Sequence, residues 1–541
     1  MEKRAPVTIA SGATWQEVAA DMQRHRAETL AALHSPLPAL PEQIVQLSDK
    51  SGLPASLLTP DELAITNANV EDLVPKLATG SMTSVDVTRA FLRRAALAQE
   101  LSNCVTELLP SQALKRAAEL DEYLAANKKV VGPLHGLPVS VKEHVGMKRL
   151  DLNAGFVSWV GRVAEDDALI LKILWDAGAV FYVRTTQPQT LMHLETANNI
   201  YGVTVNPFNS TLTAGGSSGG EGAIVGVRGS VLGVGTDIGG SIRSPAANNG
   251  VFGFKPTAGR LPVSGWSASM AGADSILGTI GPLSTSLEGV KLFVKTILDG
   301  KPWLREPSLV ALPWRDDKKE ESSGRKKLRV GVIQSDGVVR PHPPVWNALK
   351  SVIETLARSD RVELVEWKPE GHDRAWKFIS SLYFCDGGAE EAAAINSSGE
   401  PWMEMSKWII KENPNVREHT IPTLWKAHQD RDNYRTQYAE LWNERDVDVI
   451  LCPAGPGVAP KLNTARYWGY TSQWNLLNYP AIVFPTGTFV GGDKTGGGQD
   501  DYPENYEPIS DADRYNYELW KKHGVEGYKG APVSLQLVGR M

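Results

Sequence analysis

Three glycine-rich stretches decide how this chain is read: Ala214-Gly-Gly-Ser-Ser-Gly-Gly-Glu221, Gly233-Val-Gly-Thr-Asp-Ile-Gly-Gly-Ser-Ile-Arg-Ser-Pro245 and Gly250-Val-Phe-Gly-Phe-Lys-Pro256. Glycine clusters have several chemical meanings, and spacing separates them. A phosphate-cradling P-loop needs Gly-x-x-x-x-Gly-Lys followed by Ser or Thr, and no such run occurs. Gly220-x-Gly222-x-x-x-Gly226 approaches a dinucleotide fingerprint. That fingerprint must leave a strand, whereas residues 206–214 read as polar and turn-like. Gly215-Gly-Ser217-Ser-Gly219 fits the nucleophile elbow of Ser–His–Asp hydrolases, which also needs an apolar strand before it and a later acid and histidine. His342, His372, His419, His428 and His523 follow, and nothing in their context marks one of them. His144 lies close to Lys142, but spacing supplies it with no metal-binding partners.

A serine nucleophile has another route. Its base can be a neutral lysine relayed through a second hydroxyl. Ser217 and Ser241 are glycine-flanked serines, 241 − 217 = 24 residues apart. Gly239 and Gly240 let the backbone turn several N–H groups toward one point, an oxyanion hole just before Ser241. Gly-Gly-Ser is also common in plain turns, so a loop role stays open for each serine at this point.

Composition narrows the class. The chain has 541 residues, with 42% hydrophobic and 22% charged. At ~150 residues per domain this suggests three or four domains, or one large α/β domain with insertions. The composition is that of a globular protein and excludes a wholly disordered, collagen-like or coiled-coil chain. Net charge is 56 − 62 = −6, which gives no global attraction to nucleic acid or anionic membrane. Cys104, Cys385 and Cys452 form no CxxC pair and no disulfide scaffold, which fits a reducing compartment. No apolar run reaches ~18 residues, so no transmembrane helix is expected. The N-terminus lacks the apolar core of a signal peptide, and a cytoplasmic location is expected.

Thr14-Trp-Gln-Glu17 is a capping box that opens a helix along Trp15, Val18, Ala19 and Met22. The proline-bearing segment 33–40 reads as a linker. Two helices are expected within residues 60–97 and another over 111–127. A short strand is expected over 139–142, a helix over 167–175 and a buried strand over 179–183. Strand 328–333, helix 345–356 and strand 362–367 form a βαβ unit, which favours parallel pairing. The mixed-sign run 316–327 reads as a solvated loop and 487–515 as a long surface loop. Near the C-terminus, Val533, Leu535 and Leu537 alternate with Ser534 and Gln536, predicting a strand buried on one face.

At its serine blocks the sequence resembles the amidase signature family. Gly215–Gly220, Gly235–Arg243 and Gly253–Thr257 stand in the family's order. Gly136-Leu-Pro-Val-Ser-Val-Lys142 is similar to its lysine segment. Asp448–Pro453, Asn475–Pro480 and Ala531–Arg540 continue the likeness, which spans roughly residues 60–540 and is nearest the fungal acetamidase and fatty-acid-amide-hydrolase branch. The resemblance implies an α/β fold with a central mixed β-sheet covered by helices on both faces. It divides the chain into an N-terminal helical extension, residues 1–60, and one amidase signature domain, residues 61–541.

The resemblance also implies the chemistry. Ser241 matches the nucleophile, Ser217 the serine that follows a cis peptide and relays the proton, and Lys142 the base. Ile238, Gly239, Gly240 and Ser241 match the oxyanion-hole backbone. Asp237 and Arg243 match a structural charge pair, and Ser218 a supporting hydroxyl. Met192, Trp266, Met270 and Trp474 lie in segments that resemble pocket walls, although plain core is the commoner place for such side chains. The expected reaction is hydrolysis of a small-molecule carboxamide to an acid and ammonia or an amine, through an acyl-enzyme, with no metal or organic cofactor. An amidotransferase subunit that delivers ammonia, or a non-catalytic relative, are the alternatives; a homodimer is left open. The resemblance implies a closing helix after the last strand, whereas the sequence stops at Met541. An apolar patch is therefore expected there, covered by self-association or by the N-terminal helices.

Overall fold

The computed structural model describes residues 7–33, 35, 37, 52–316, 327–492 and 501–541. Val180–Thr185 and Leu232–Asp237 are apolar or glycine-rich at successive positions, as strands covered on both faces must be, and every residue in both is buried. In chain order the strands are β1 (Val105–Leu108), β2 (Pro138–Lys142), β3 (Val180–Thr185), β4 (Ala197–Asn198), β5 (Gly202–Val203), β6 (Val205–Asn206), β7 (Asn209–Thr213), β8 (Leu232–Asp237), β9 (Phe252–Lys255), β10 (Thr279–Ser284), β11 (Leu328–Val332), β12 (Val362–Glu366), β13 (Val449–Pro453), β14 (Ala481–Phe489) and β15 (Pro532–Gly539). Eleven of them form one sheet in the order β1-β3-β2-β8-β10-β9-β14-β15-β13-β11-β12. Parallel pairs lie toward both sides, β2 with β3 and β8, and β11 with β12 and β13, while the edge strand β1 runs antiparallel to β3. The middle is antiparallel. With the helices covering it, this is the expected mixed-sheet α/β fold.

The Thr14–Glu17 capping box is formed and starts the helix Trp15–Ala31. That helix docks on β1, where Thr29 Oγ1 accepts from the Leu108 amide at 3.1 Å. The expected βαβ unit is β11, helix Pro343–Ala357 and β12, paired in parallel. The linker segment 33–40 and the charged run 316–327 lie largely outside the described residues. The loop expected over 487–515 is shorter, because β14 runs on to Phe489 and a helix begins at Asp511.

Two expectations are corrected. Residues 206–214 are not merely turn-like: β6 and β7 form a small hairpin leading to the Gly-Ser block. Thr and Asn side chains concealed this strand, and the hairpin stands apart from the main sheet. The second correction concerns β15. It lies between β14 and β13, and Ser534 and Gln536 are buried together with Val533, Leu535 and Val538. Both faces are therefore covered, because helices Arg243–Asn249 and Pro343–Ala357 both pack on the strand. Helix Pro343–Ala357 supplies part of that cover through Val345 and Leu349, not the N-terminal helices.

Candidate active site

β2 and β8 run parallel side by side, so their C-terminal ends open on the same edge, where α/β sheets place their sites. Lys142 is the last residue of β2. Ser241 follows β8, in the turn before the helix Arg243–Asn249. Ser217 sits just before the helix Gly219–Gly226, after a cis peptide bond from Gly216, the bond that the resemblance implied. All three side chains are at least 95% buried.

Lys142 Nζ lies 2.6 Å from Ser217 Oγ and 2.9 Å from Thr236 Oγ1. Burial drives its pKa well below the usual lysine value, against the opposing pull of Asp237, Glu221 and Glu143. None of these carboxylates pairs with it. Glu221 receives hydrogen bonds from Ser140 and Thr185, both at 2.6 Å, and burial raises its pKa to about 7. Gly233 makes room for that carboxylate: a Cβ there would stand 1.8 Å from Glu221 Oε2. Glu143 accepts from the amides of Asn153 and Ala154, and from Gln187. A buried lysine without an ion-pair partner is a free amine, the form able to accept a proton.

Ser218 ties the serine loops together. Its amide donates to the Ser241 carbonyl at 3.1 Å, and its hydroxyl bonds the Thr236 backbone on both sides, at 3.2 Å. Asp237 and Arg243 form a fully buried pair, with Nη2–Oδ1 at 3.0 Å and Nε–Oδ2 at 3.1 Å. Burial would raise the Asp237 pKa, but Arg243 outweighs it and holds the carboxyl at about 2. A buried ion pair is tolerated when its remaining hydrogen-bonding sites are filled. Here Asn475 Nδ2 donates to Asp237, and Arg243 donates to Asn475 Oδ1 and the Thr471 carbonyl. The pair anchors the turn through the amides of Gly240 and Ile242, which donate to Asp237 at 2.9 and 3.1 Å.

This anchoring corrects one expected donor. The Gly240 N–H is committed to Asp237 Oδ1. The turn's carbonyls are held as well: Ile238 by Tyr383 Oη at 2.9 Å, Gly239 by Thr471 Oγ1 at 2.7 Å and Gly240 by the Ser244 amide at 2.7 Å. In a planar trans peptide the N–H points opposite its C=O, so the clamps on Ile238 and Gly240 aim the Gly239 and Ser241 N–H groups away from these anchors. Gly240 is required: its φ is +134°, and a Cβ would meet Thr471 Oγ1 at 2.4 Å.

Ser217 and Ser241 open on one cavity of about 320 Å3. Met192, Trp266 and Met270 line it, beside Leu191, Ile276 and Leu277. Trp474 does not; it packs edge-on against Tyr438 and His372 in the core, because helix Gly469–Leu476 is buried over its whole length. His144, Thr236 and Tyr383 also border the cavity, and the sequence reading assigned none of them. Among the described residues, no group of three His, Cys, Asp or Glu side chains is placed to hold a metal ion.

The amidase family model matches residues 86–541. A Schizosaccharomyces pombe protein with an amidase designation is 44% identical over 527 residues, covering 97% of this chain and 96% of the relative. An acetamidase of Emericella nidulans is 41% identical over 538 residues, covering 97% and 95%. The solved structure of a fatty acid amide hydrolase superposes with a TM-score of 0.89 at 37% identity, over 96% of this chain and 91% of that one. The chain belongs to the amidase family and is an enzyme that hydrolyses amide C–N bonds.

Proposed function

We propose that Lys142, Ser217 and Ser241 act as a catalytic triad through an acyl-enzyme. The observation that carries this reading is a fully buried lysine amine without an ion-pair partner, 2.6 Å from Ser217 Oγ, on the cavity that Ser241 shares. Lys142 takes the Ser217 proton while Ser217 takes that of Ser241, and Ser241 Oγ attacks the amide carbonyl. The Gly239 and Ser241 amides, with that of Ile238, hold the oxyanion. The relay then runs backward: Ser217 protonates the leaving nitrogen, the C–N bond breaks, and Ser217 is refilled from Lys142. Water, deprotonated by the same relay, attacks the ester, releasing the acid and restoring Ser241.

The cavity favours an uncharged, apolar acyl group. Its walls are largely Leu, Met, Ile, Ala and Trp. The two titratable groups besides Tyr383 that border it are Asp237, closed by Arg243, and His144, which burial keeps neutral. No described helix is long and apolar enough to cross a membrane, and a cytoplasmic site of action remains part of this proposal.

A fluorophosphonate probe tests the assignment. It should label the protein once, on Ser241, and a panel of competing amides should reveal the acyl group. Ser241→Ala should lose labelling and turnover while keeping its melting temperature. Labelling on Ser217, or turnover by the alanine variant, would sink the triad.

A further inference from the structure

His144 is buried beside Lys142, its ring stacked on Trp266 with centroids 5.8 Å apart and planes at 27°. It begins a chain of hydrogen bonds. His144 Nδ1 is 2.7 Å from the Ser267 carbonyl oxygen, and Nε2 is 2.9 Å from Thr236 Oγ1. Thr236 Oγ1 is 2.9 Å from Lys142 Nζ, which is 2.6 Å from Ser217 Oγ.

The direction of every link follows from its first one. A carbonyl oxygen only accepts, so Nδ1 carries a hydrogen. The ring is neutral, since burial holds its pKa well below the usual histidine value. Nε2 therefore has a lone pair and accepts from Thr236. Thr236 has one hydroxyl hydrogen, and it is spent on His144. Toward Lys142 it only accepts, so that contact uses an N–H of the amine. The lone pair of Lys142 is left for the Ser217 hydroxyl.

We infer that His144 is a positioning residue that fixes the polarity of this chain, so that the Lys142 lone pair meets Ser217 and not Thr236. The inference rests on the triad reading above. Without the His144 acceptor, the Thr236 hydroxyl can turn and donate to the lone pair. Lys142 would then donate to Ser217, the wrong direction for removing its proton.

The other charged groups around Lys142 keep their own partners when His144 changes. Glu221, on the helix behind β2, is held by Ser140 and Thr185. Asp237, at the end of β8, is paired with Arg243. Glu143 is held by Asn153, Ala154 and Gln187, with Arg184 3.7 Å away.

Single-turnover acylation of a fixed amide, with its pH profile, tests the inference. His144→Leu should slow acylation about tenfold or more with KM little changed, part of the ~10²–10⁴-fold range of general base catalysis. Its acid limb should move to lower pH, because a donating Thr236 stabilises the free amine. His144→Gln, whose Oε1 can accept from Thr236, should recover most of the rate. The decisive comparison is with Thr236→Val, which has no hydrogen to misdirect. It should lose less than His144→Leu, and the double variant should be no slower than His144→Leu alone. Multiplied losses in the double variant, or a His144→Leu enzyme with wild-type rate and acid limb, would overturn the inference. Should His144→Leu not fold, Thr236→Val and His144→Gln decide: a Gln variant no better than Thr236→Val overturns it. Lys142→Ala measured alongside separates the two readings. If it still turns over, the triad itself falls; if it is inactive while the His144 variants match wild type, only the polarity lock falls.

Discussion

At the scale of single residues, the proposed reaction depends on one lysine staying neutral in a site with carboxylates nearby. Burial lowers the pKa of Lys142, while Glu221 and Asp237 spend their charge on other partners. Rate should therefore rise from acidic pH to a plateau, since protonation removes the base and the shift is downward from the usual lysine range. Lys142→Ala should lose more than ~10²-fold in kcat. Lys142→Arg should be no better, because a guanidinium stays charged. A rate that is flat with pH while acylation limits turnover would contradict this. The proposed triad was legible in the sequence because each member sits in a distinctive local run. Its supports were not. Thr236 and His144 meet across 92 residues, Asp237 and Asn475 across 238, and Tyr383 reaches Ile238 across 145. No local spacing announces such contacts, and a histidine with no metal-ligand pattern gave no cue that it would be one end of a hydrogen-bond chain.

At the scale of elements, the oxyanion turn is shaped by what grips its carbonyls. Tyr383, at the end of helix His372–Tyr383, and Thr471, within helix Gly469–Leu476, come from chain segments far from the turn. Removing the Tyr383 hydroxyl frees the Ile238 carbonyl and, through the same rigid peptide, the Gly239 N–H. Tyr383→Phe keeps the ring at the cavity wall. It should lower kcat by about tenfold with KM nearly unchanged, less than the ~10²–10³ lost with an oxyanion donor itself. Thr471→Val should act in the same direction through the Gly239 carbonyl. A change confined to KM would show that Tyr383 serves substrate fit alone. The strands of this region were readable from their apolar runs and the turn from its glycines. The Gly240 amide was misassigned because sequence shows where a backbone can bend, not which partner captures each N–H. Trp474 could be read two ways for a related reason: an aromatic residue near the site fits core or cavity until its helix is oriented, and here it is core.

At the scale of the whole molecule, a second buried lysine links the sheet to stability. Lys255 ends β9 near the middle of the sheet and is 1% exposed. Its amine donates to the Pro256 carbonyl at 3.1 Å. Burial, aided by Arg243 and opposed by Asp237, brings its pKa down to about 7. In the unfolded chain it titrates near ~10.4. Between these values the unfolded state binds more protons, so stability rises with pH across the window, and the full penalty is felt below about pH 7. Lys142 contributes with the same sign. The buried carboxyls of Glu143, Glu221 and Glu391 act oppositely, but their raised pKa values, about 7, end their effect there. Cys104, pushed up to about 12 by burial, and Cys452, raised by burial too, oppose the climb once unfolded thiols ionise, above ~8.5. The melting midpoint at a fixed scan rate should therefore climb between pH 7 and 8.5. Lys255→Met keeps the volume and removes the charge. It should raise the midpoint at pH 7 by ~1 °C or more, the order expected for a gain of 1 kcal/mol in a chain of 541 residues, and flatten the climb. A lower midpoint with an unchanged slope would mean that the Lys255 charge supports the Asp237–Arg243 pair and that the fold needs it.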